Sequence, residues 1–345
     1  FNLGLLNAYT PLIWVLAFVL YDLSYYWLHR CHHEIKFLWA SHVVHHHGEE
    51  FNLSTALRQT GTDFIFKWVF YTPMLFLGVP PEIFVTVAAL NLIYQFWVHT
   101  EHIDRLGFLD YIFVTPSNHR IHHAQNKEYI DANYGGVFII WDIIFGTFKD
   151  ERKELKPIYG TSKPLKSWNP FWANFEVWTE IFKDTWRTKS WKDKFKVWIS
   201  RPKWRPKDVS EKFPIQKNDL REFKKYDPKV TLFAKIFGFG QLVFGSFYSQ
   251  SFFFNVSSMG TTEIFLIGVN ITMILVFASL LFEGKGFGYH LEFARAILVL
   301  LAIYFGQFEF MQLTVLIHAI ICALLAGYMA VSNKTVEFNE ARSES

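Results

Sequence analysis

Three histidine clusters stand in order along the chain: His29-x-x-x-His33, His42-x-x-His45-His46 and His119-x-x-His122-His123. Residues three and four apart on a helix share one face, so each cluster can present convergent imidazoles from one short helix. A lone pair at this spacing is more often surface decoration or core filler than a ligand set. Three clusters in one chain point instead to a metal centre. Eight imidazoles exceed what one ion takes, since zinc sites use about three or four protein ligands. The pattern therefore predicts two metals with open positions. Imidazole suits zinc, copper, iron and nickel alike. Breaking an unactivated C–H bond of a lipid chain needs a redox metal and O2, whereas zinc serves hydrolysis. A redox pair would suit two iron ions, but ligand type alone leaves the metal open, zinc in purified protein included.

Other residues stand near enough in sequence to join or support such a centre. Trp97-Val-His99-Thr-Glu101-His102 closes an apolar run, and His99 could enter the site from a different helix or serve as a plain interfacial histidine. Glu34 follows His33, and Glu101 lies between two histidines; either carboxylate could orient a ligating imidazole. Asn118, Asn126, Asp131 and Asn133 surround the third cluster as candidates of the same kind. His32 and His47 point off the helical faces of their clusters. Cys31 lies within the first motif but off the His29/His33 face and reads as a buried thiol. With Cys322 far away, the two cysteines offer no disulfide framework.

The elements that must position these residues are apolar. The 345-residue chain is 51% hydrophobic, 19% aromatic and 19% charged, a charged fraction below the usual quarter. The expected fold class is all-α: a polytopic integral membrane protein with a cytosolic histidine-rich cap over a transmembrane helix bundle. Residues 5–28 read as a first membrane helix. Residues 64–98 are long enough for two passes around the break Gly78-Val-Pro80-Pro81. Runs at 231–249, 262–282, 291–308 and 312–331 predict four more. The layout divides into a dimetal catalytic domain (1–150), a basic Trp-rich cytosolic or interfacial segment (151–230) and a C-terminal four-helix transmembrane region (231–345). Position 1 is Phe and an apolar run begins almost at once, as expected of a chain that continues upstream. No signal-peptide pattern is present.

Charge gives an orientation. The net charge of +3 is too small to suggest a nucleic-acid partner, but about two thirds of the 34 Lys and Arg fall within residues 149–229. Basic loops usually stay cytoplasmic, which puts all three clusters on the cytoplasmic face. Lys285, Lys334 and Arg342 then fall inside, and the unbasic connections 250–261 and 306–311 outside. Residues 167–204 interleave seven tryptophans with Lys and Arg. That composition predicts a segment lying on the membrane around a lipid entrance, against the plainer reading of a solvated basic linker whose indoles pack on the protein.

The motifs His29-Arg-x-x-His33, His42-x-x-His45-His46 and Asn118-His119-x-x-His122-His123, with Asn133-Tyr-Gly-Gly-Val-Phe downstream, resemble the signature of the fatty acid hydroxylase/sterol desaturase superfamily over roughly residues 10–150. The resemblance implies an integral membrane oxygenase with a histidine-held di-iron centre. His33-Glu34, Trp97-Val-His99-Thr-Glu101, Pro116-Ser-Asn-His119-Arg and Pro202-Lys-Trp204-Arg-Pro206 look most like its alkylglycerol (glyceryl-ether) monooxygenase branch. That likeness implies a tetrahydrobiopterin-dependent attack on the carbon beside an ether oxygen, releasing aldehyde and glycerol. It also implies that His99 is essential beside the eight clustered histidines and that Glu34 matters to catalysis. No pterin motif stands in the sequence.

The expected partners are a membrane lipid substrate, O2, the phospholipid bilayer and a pterin or electron-transfer protein. The expected location is the endoplasmic reticulum of a eukaryote or the inner membrane of a bacterium. Within the same superfamily, the alternative is a sterol, fatty acid or sphingolipid hydroxylase or desaturase with another electron donor. A membrane metal transporter and a zinc-dependent lipid hydrolase are the remoter readings.

Overall fold

A computed structural model describes residues 2–307 and 309–343, with side chains described to residue 332. Phe308 and the side chains of Lys334 and Arg342, used above for orientation, lie outside the described residues. Among the described residues the regular structure is helical, with no strand and two isolated bridges, Phe113 to Phe138 and Ala124 to Tyr159. The helices are α1 (Pro11–Glu34), α2 (Lys36–Ala40), α3 (Val43–His46), α4 (Leu53–Leu57), α5 (Trp68–Leu77), α6 (Pro81–Trp97), α7 (Pro116–His122), α8 (Ile140–Ile144), α9 (Pro170–Arg187), α10 (Trp191–Ile199), α11 (Lys207–Lys212), α12 (Leu232–Asn255), α13 (Thr261–Phe282), α14 (Phe287–Tyr304) and α15 (Gln312–Ser343). The chain divides into two compact units. One comprises Phe1–Leu165 with Ala173–Lys225, the other Lys166–Trp172 with Tyr226–Ser345.

Among the described residues, four helices are long and apolar enough to cross a bilayer: α1, α13, α14 and Gln312–Ser332 of α15. The chain is a membrane protein. Two expectations about spans need correction. The run 64–98 does not form two full crossings. Asp63–Ile65 is taken up in a 3-10 turn, so α5 begins only at Trp68 and has ten residues, about 15 Å at 1.5 Å per residue. That is half a hydrocarbon core of about 30 Å. The break itself falls as expected, with Gly78 at φ +91 ending α5. The run 231–249 does lie within a 24-residue helix, α12, but Gln241, Ser246, Ser249, Gln250 and Ser251 dilute its hydropathy and it is not among the four.

In the first unit α1 is the axis. Thr10 caps it by accepting from the Ile13 amide, and Pro11 opens it with a pre-set φ. It packs against α5 and α6 through Ile13, Ala17, Leu28, Tyr71, Met74, Ile83 and Val87. Tyr21 stacks on Tyr71 at 4.6 Å between ring centres.

Halfway along this apolar helix sits a buried acid, Asp22. Its oxygens accept from the Val137 amide (2.8 Å), the Phe138 amide (3.0 Å), Trp141 Nε1 (3.0 Å) and Asn91 Nδ2 (2.7 Å). One carboxylate thus ties α1, α6 and the 137–141 segment together. Asp142 folds the same segment from the other side, accepting from the Tyr134 and Gly135 amides at 2.7 Å. The two glycines between are required by space. A Cβ at Gly135 would lie 2.5 Å from the Phe138 carbonyl, and one at Gly136 would lie 2.8 Å from Asp22 Oδ1.

In the second unit α12 packs on α13, α13 on α14 and α14 on α15. Its interior is not wholly apolar. Arg295 is fully buried, donating from Nε to Glu292 (2.9 Å) and from Nη1 to Asn270 (2.7 Å). Gln241 bonds Cys322 and His318. These groups pair with one another, as polar groups at membrane depth tend to, although Asn270 Nδ2 and His318 Nδ1 are left without a partner.

Asp22→Ala strips four buried donors of their acceptor, at about 1–3 kcal/mol for each donor left unmet. It is expected to lower the stability of the detergent-solubilised protein by about 3 kcal/mol or more, read as an earlier thermal transition. Gly136→Ala should shift the transition the same way through its contact with Asp22. An unchanged transition in Asp22→Ala would remove the clamp from this account.

Candidate metal centre

The three clusters and His99 meet in the first unit. His29 and His33 leave the last turns of α1 on one face, with ring centres 5.2 Å apart. His42 precedes α3, and His45 and His46 lie within it. His119 and His122 lie on α7, and His123 ends it. His99 follows the end of α6.

These nine imidazoles form two groups. His29, His33, His42, His46 and His122 make one; His45, His99, His119 and His123 make the other. Within each group the ligand nitrogens lie within 4.8 Å of one another. The groups adjoin, since His46 and His123 stack at 4.4 Å and His119 and His122 stack at 5.3 Å between ring centres. Each triplet is divided between them. His42 and His46 face one group while His45 faces the other; His122 faces one while His119 and His123 face the other.

Backbone carbonyls fix the imidazole tautomers. Nδ1 of His29 donates to the Tyr134 carbonyl (2.9 Å), that of His122 to Ala132 (3.0 Å), that of His99 to Gln95 (2.7 Å) and that of His45 to Arg58 (3.3 Å). A carbonyl only accepts, so the proton of each neutral ring sits on Nδ1 and the lone pair on Nε2. Nε2 of His45 and Nε2 of His99 then face each other at 3.3 Å with no proton between them. Nε2 of His33 and of His122 are buried without any hydrogen-bond partner. A cation among these nitrogens removes the repulsion and satisfies the orphaned atoms. The residues fit a metal site.

Electrostatics keep the rings competent to bind one. Burial, reinforced by neighbouring imidazoles, drives His42, His45, His46, His119 and His123 well below the ordinary histidine range. Burial likewise brings His99 and His122 down to about 4. All are neutral at pH 7, with lone pairs free.

The surroundings hold this geometry. Arg120 donates to the Thr100 carbonyl (3.1 Å), the Ile103 carbonyl (2.7 Å) and Glu151 (2.8 Å), fastening α7 to the loop that carries His99. Asn118 Nδ2 donates to the Asp110 and Phe113 carbonyls. Asn133, at a left-handed φ of +57, donates to the Asn118 and Lys149 carbonyls. Asn126 binds the Lys156 carbonyl and the Ile158 amide. These side chains brace loops and touch no imidazole. Asp131, also left-handed at φ +60, is partly buried beside them.

The remaining candidates fall outside the two groups. Glu34 accepts from Arg30 at 3.1 Å and lies 3.9 Å from Arg201. Glu101 accepts from the Tyr159 hydroxyl at 2.9 Å. Tyr159 in turn stacks on Phe51, whose ring lies against His99, His119 and His123. His32 stacks flat on His42 at 4.8 Å with Asp63 3.2 Å from its Nε2. His47 faces Glu176. Cys31 is a partly buried free thiol.

Sequence reading missed Asp22, Arg58, Phe51 and Tyr134. An acid in the middle of an apolar span was the available signal for Asp22. The others act through a carbonyl or a ring face and leave no motif.

The profile of the fatty acid hydroxylase family matches residues 14–147, the stretch that carries all nine histidines. An alkylglycerol monooxygenase from Xenopus tropicalis is 40% identical over 230 residues, covering 66% of this chain and 51% of that protein. One from Homo sapiens is 44% identical over 197 residues, covering 57% and 44%. An ornithine lipid hydroxylase from Rhizobium tropici is 33% identical over 135 residues, covering 39% and 41%. The chain spans about half the length of the alkylglycerol monooxygenases it matches. No solved structure matches it. The motifs, the paired imidazole groups and these relatives agree on one stretch: residues 14–147 form a domain that matches the fatty acid hydroxylase family.

Proposed function

We propose that this chain is a membrane-bound lipid monooxygenase with a histidine-held pair of iron ions, cleaving alkylglycerol ethers with O2 and tetrahydrobiopterin. The observation that carries the reading is the pair of adjoining imidazole groups, in which the Nε2 lone pairs of His45 and His99 face each other and Nε2 of His33 and His122 has no partner. The ether-lipid assignment rests on the 40–44% identity to alkylglycerol monooxygenases. When bound, the metals supply O2 activation and the pterin supplies electrons.

The chain's own residues hold and orient. His29, His33, His42, His46 and His122 take one ion; His45, His99, His119 and His123 take the other. The carbonyls of Arg58, Gln95, Ala132 and Tyr134 fix the tautomers, as hydrogen bonds behind metal ligands commonly do. Phe51, backed by Tyr159, walls the second group against water. A groove of about 390 Å³ between α1 and α5, lined by Leu20, Leu23, Trp27, Phe70 and Met74, would seat an alkyl chain. Hydroxylation beside the ether oxygen gives a hemiacetal, which separates into aldehyde and glycerol. Glu34 is given a catalytic role by family likeness, and its Arg30 pairing would set its position. The basic 149–229 stretch supports a cytoplasmic site, at the endoplasmic reticulum or a bacterial inner membrane.

Two experiments test this. His45→Ala and His122→Ala, one from each group, should each abolish aldehyde release from an alkylglycerol and lower bound iron. Full turnover with normal metal content in either would remove that residue from the ligand set. Glu34→Gln should lose turnover by about 10²-fold or more, the range of positioned acid–base groups (~10²–10⁴-fold), while retaining its metal. Aldehyde release that is indifferent to added tetrahydrobiopterin would move the assignment to a hydroxylase with another electron donor, as the ornithine lipid hydroxylase likeness would favour.

A further inference from the structure

Helices α9 and α10 are apolar on two opposite faces. The inner face is ordinary core: Val177, Ile181 and Val197 pack with Ala40 and Val43, beneath the turn that carries the second histidine cluster. The outer face repeats large apolar side chains at helical intervals. Phe182 and Trp186 are four apart on α9, and Trp191, Phe195 and Ile199 are four apart on α10. They are exposed to an unusual degree: Trp186 by 88%, Trp191 by 74% and Phe195 by 72%. A contiguous apolar face of this kind marks an interaction surface.

Charge identifies what covers it. Residues 182–203 hold eight Lys or Arg against two Asp. Lys183, Arg187, Lys189, Lys192 and Lys196 are all exposed beside the aromatic stripe. One of the two acids, Asp184, is already occupied by Arg205, at 2.7 Å from both Nε and Nη2. Exposed Trp and Phe flanked by flexible cations is the composition of a helix lying in the headgroup layer, with rings at the acyl boundary and ammonium groups on lipid phosphates. A protein partner would want the cations paired by a shaped acidic surface. A bilayer needs only the two-sided pattern, and this chain already crosses one.

We propose that the outer face of α9 and α10 is a docking surface for an anionic phospholipid leaflet, bedding Trp186, Trp191 and Phe195 at the acyl boundary. The inference stands on exposure and charge and makes no use of the metal centre.

The test uses the whole chain in lipid nanodiscs, with a nitroxide on Phe195→Cys and the signal of the unsubstituted protein subtracted. Phe195 is exposed, so its replacement leaves the core intact. In anionic nanodiscs, collisions of the label with apolar O2 should exceed those with a water-soluble nickel chelate. The ratio should fall several-fold when Lys183→Gln, Lys189→Gln and Lys192→Gln are combined, and should be lower in zwitterionic lipid. Nickel collisions dominating in both lipids would overturn the proposal. So would spin–spin broadening at position 195, which would mean that two copies of the chain cover this face. An O2-dominated ratio equal in both lipids and untouched by the charge variants would overturn the anionic specificity.

Discussion

Crowding of neutral imidazoles is the constraint on which the first unit is built. Gathering nine rings into adjoining groups denies them water, and burial keeps His45, His46, His119 and His123 unprotonated. For His29, His45, His99 and His122, backbone carbonyls then place the proton on Nδ1 and leave the Nε2 lone pair pointing inward. Such an arrangement is unfavourable by itself and favourable around cations. Much of the surrounding architecture serves to hold carbonyls at those positions. The Tyr134 and Ala132 carbonyls that reach His29 and His122 belong to a segment anchored by Asp22 and Asp142, and its two glycines let the backbone come close enough for the anchoring to occur.

The division of each triplet between the groups has a local origin. At spacing i, i+3, i+4, the second and third side chains lie on either side of the first on the helix surface. A short helix inserted between two sites can therefore serve both. α3 and α7 are each used in this way, and their brevity, four and seven residues, lets both ends of each be fixed by neighbours. Arg120 fixes α7 through the loop of His99, and Arg58 fixes α3 by donating to the Val44 carbonyl.

Much of this was legible from residue types and spacing. Periodicity in 5–28 and in the C-terminal runs foretold helices, because long apolar stretches have few alternatives in a bilayer. The cluster spacing foretold convergence. Two things were hidden. Hydropathy averages over a window and does not see where a helix starts, so the ten-residue length of α5 was masked by the apolar residues of the 3-10 turn before it. Which imidazole joins which group depends on packing between segments distant in sequence, and spacing alone carries no trace of it. Glu101 shows the same limit: its position between two histidines suggested an imidazole partner, yet it holds Tyr159.

The salt link inside α14 bears on how the chain reaches its membrane. Glu292 and Arg295 neutralise each other within one turn, but the guanidinium also needs Asn270, on the preceding helix. Released alone into hydrocarbon, α14 would leave one arm of that guanidinium dry and unmatched, a costly state for a buried ion. The guanidinium is therefore matched only once α13 and α14 lie together in the membrane.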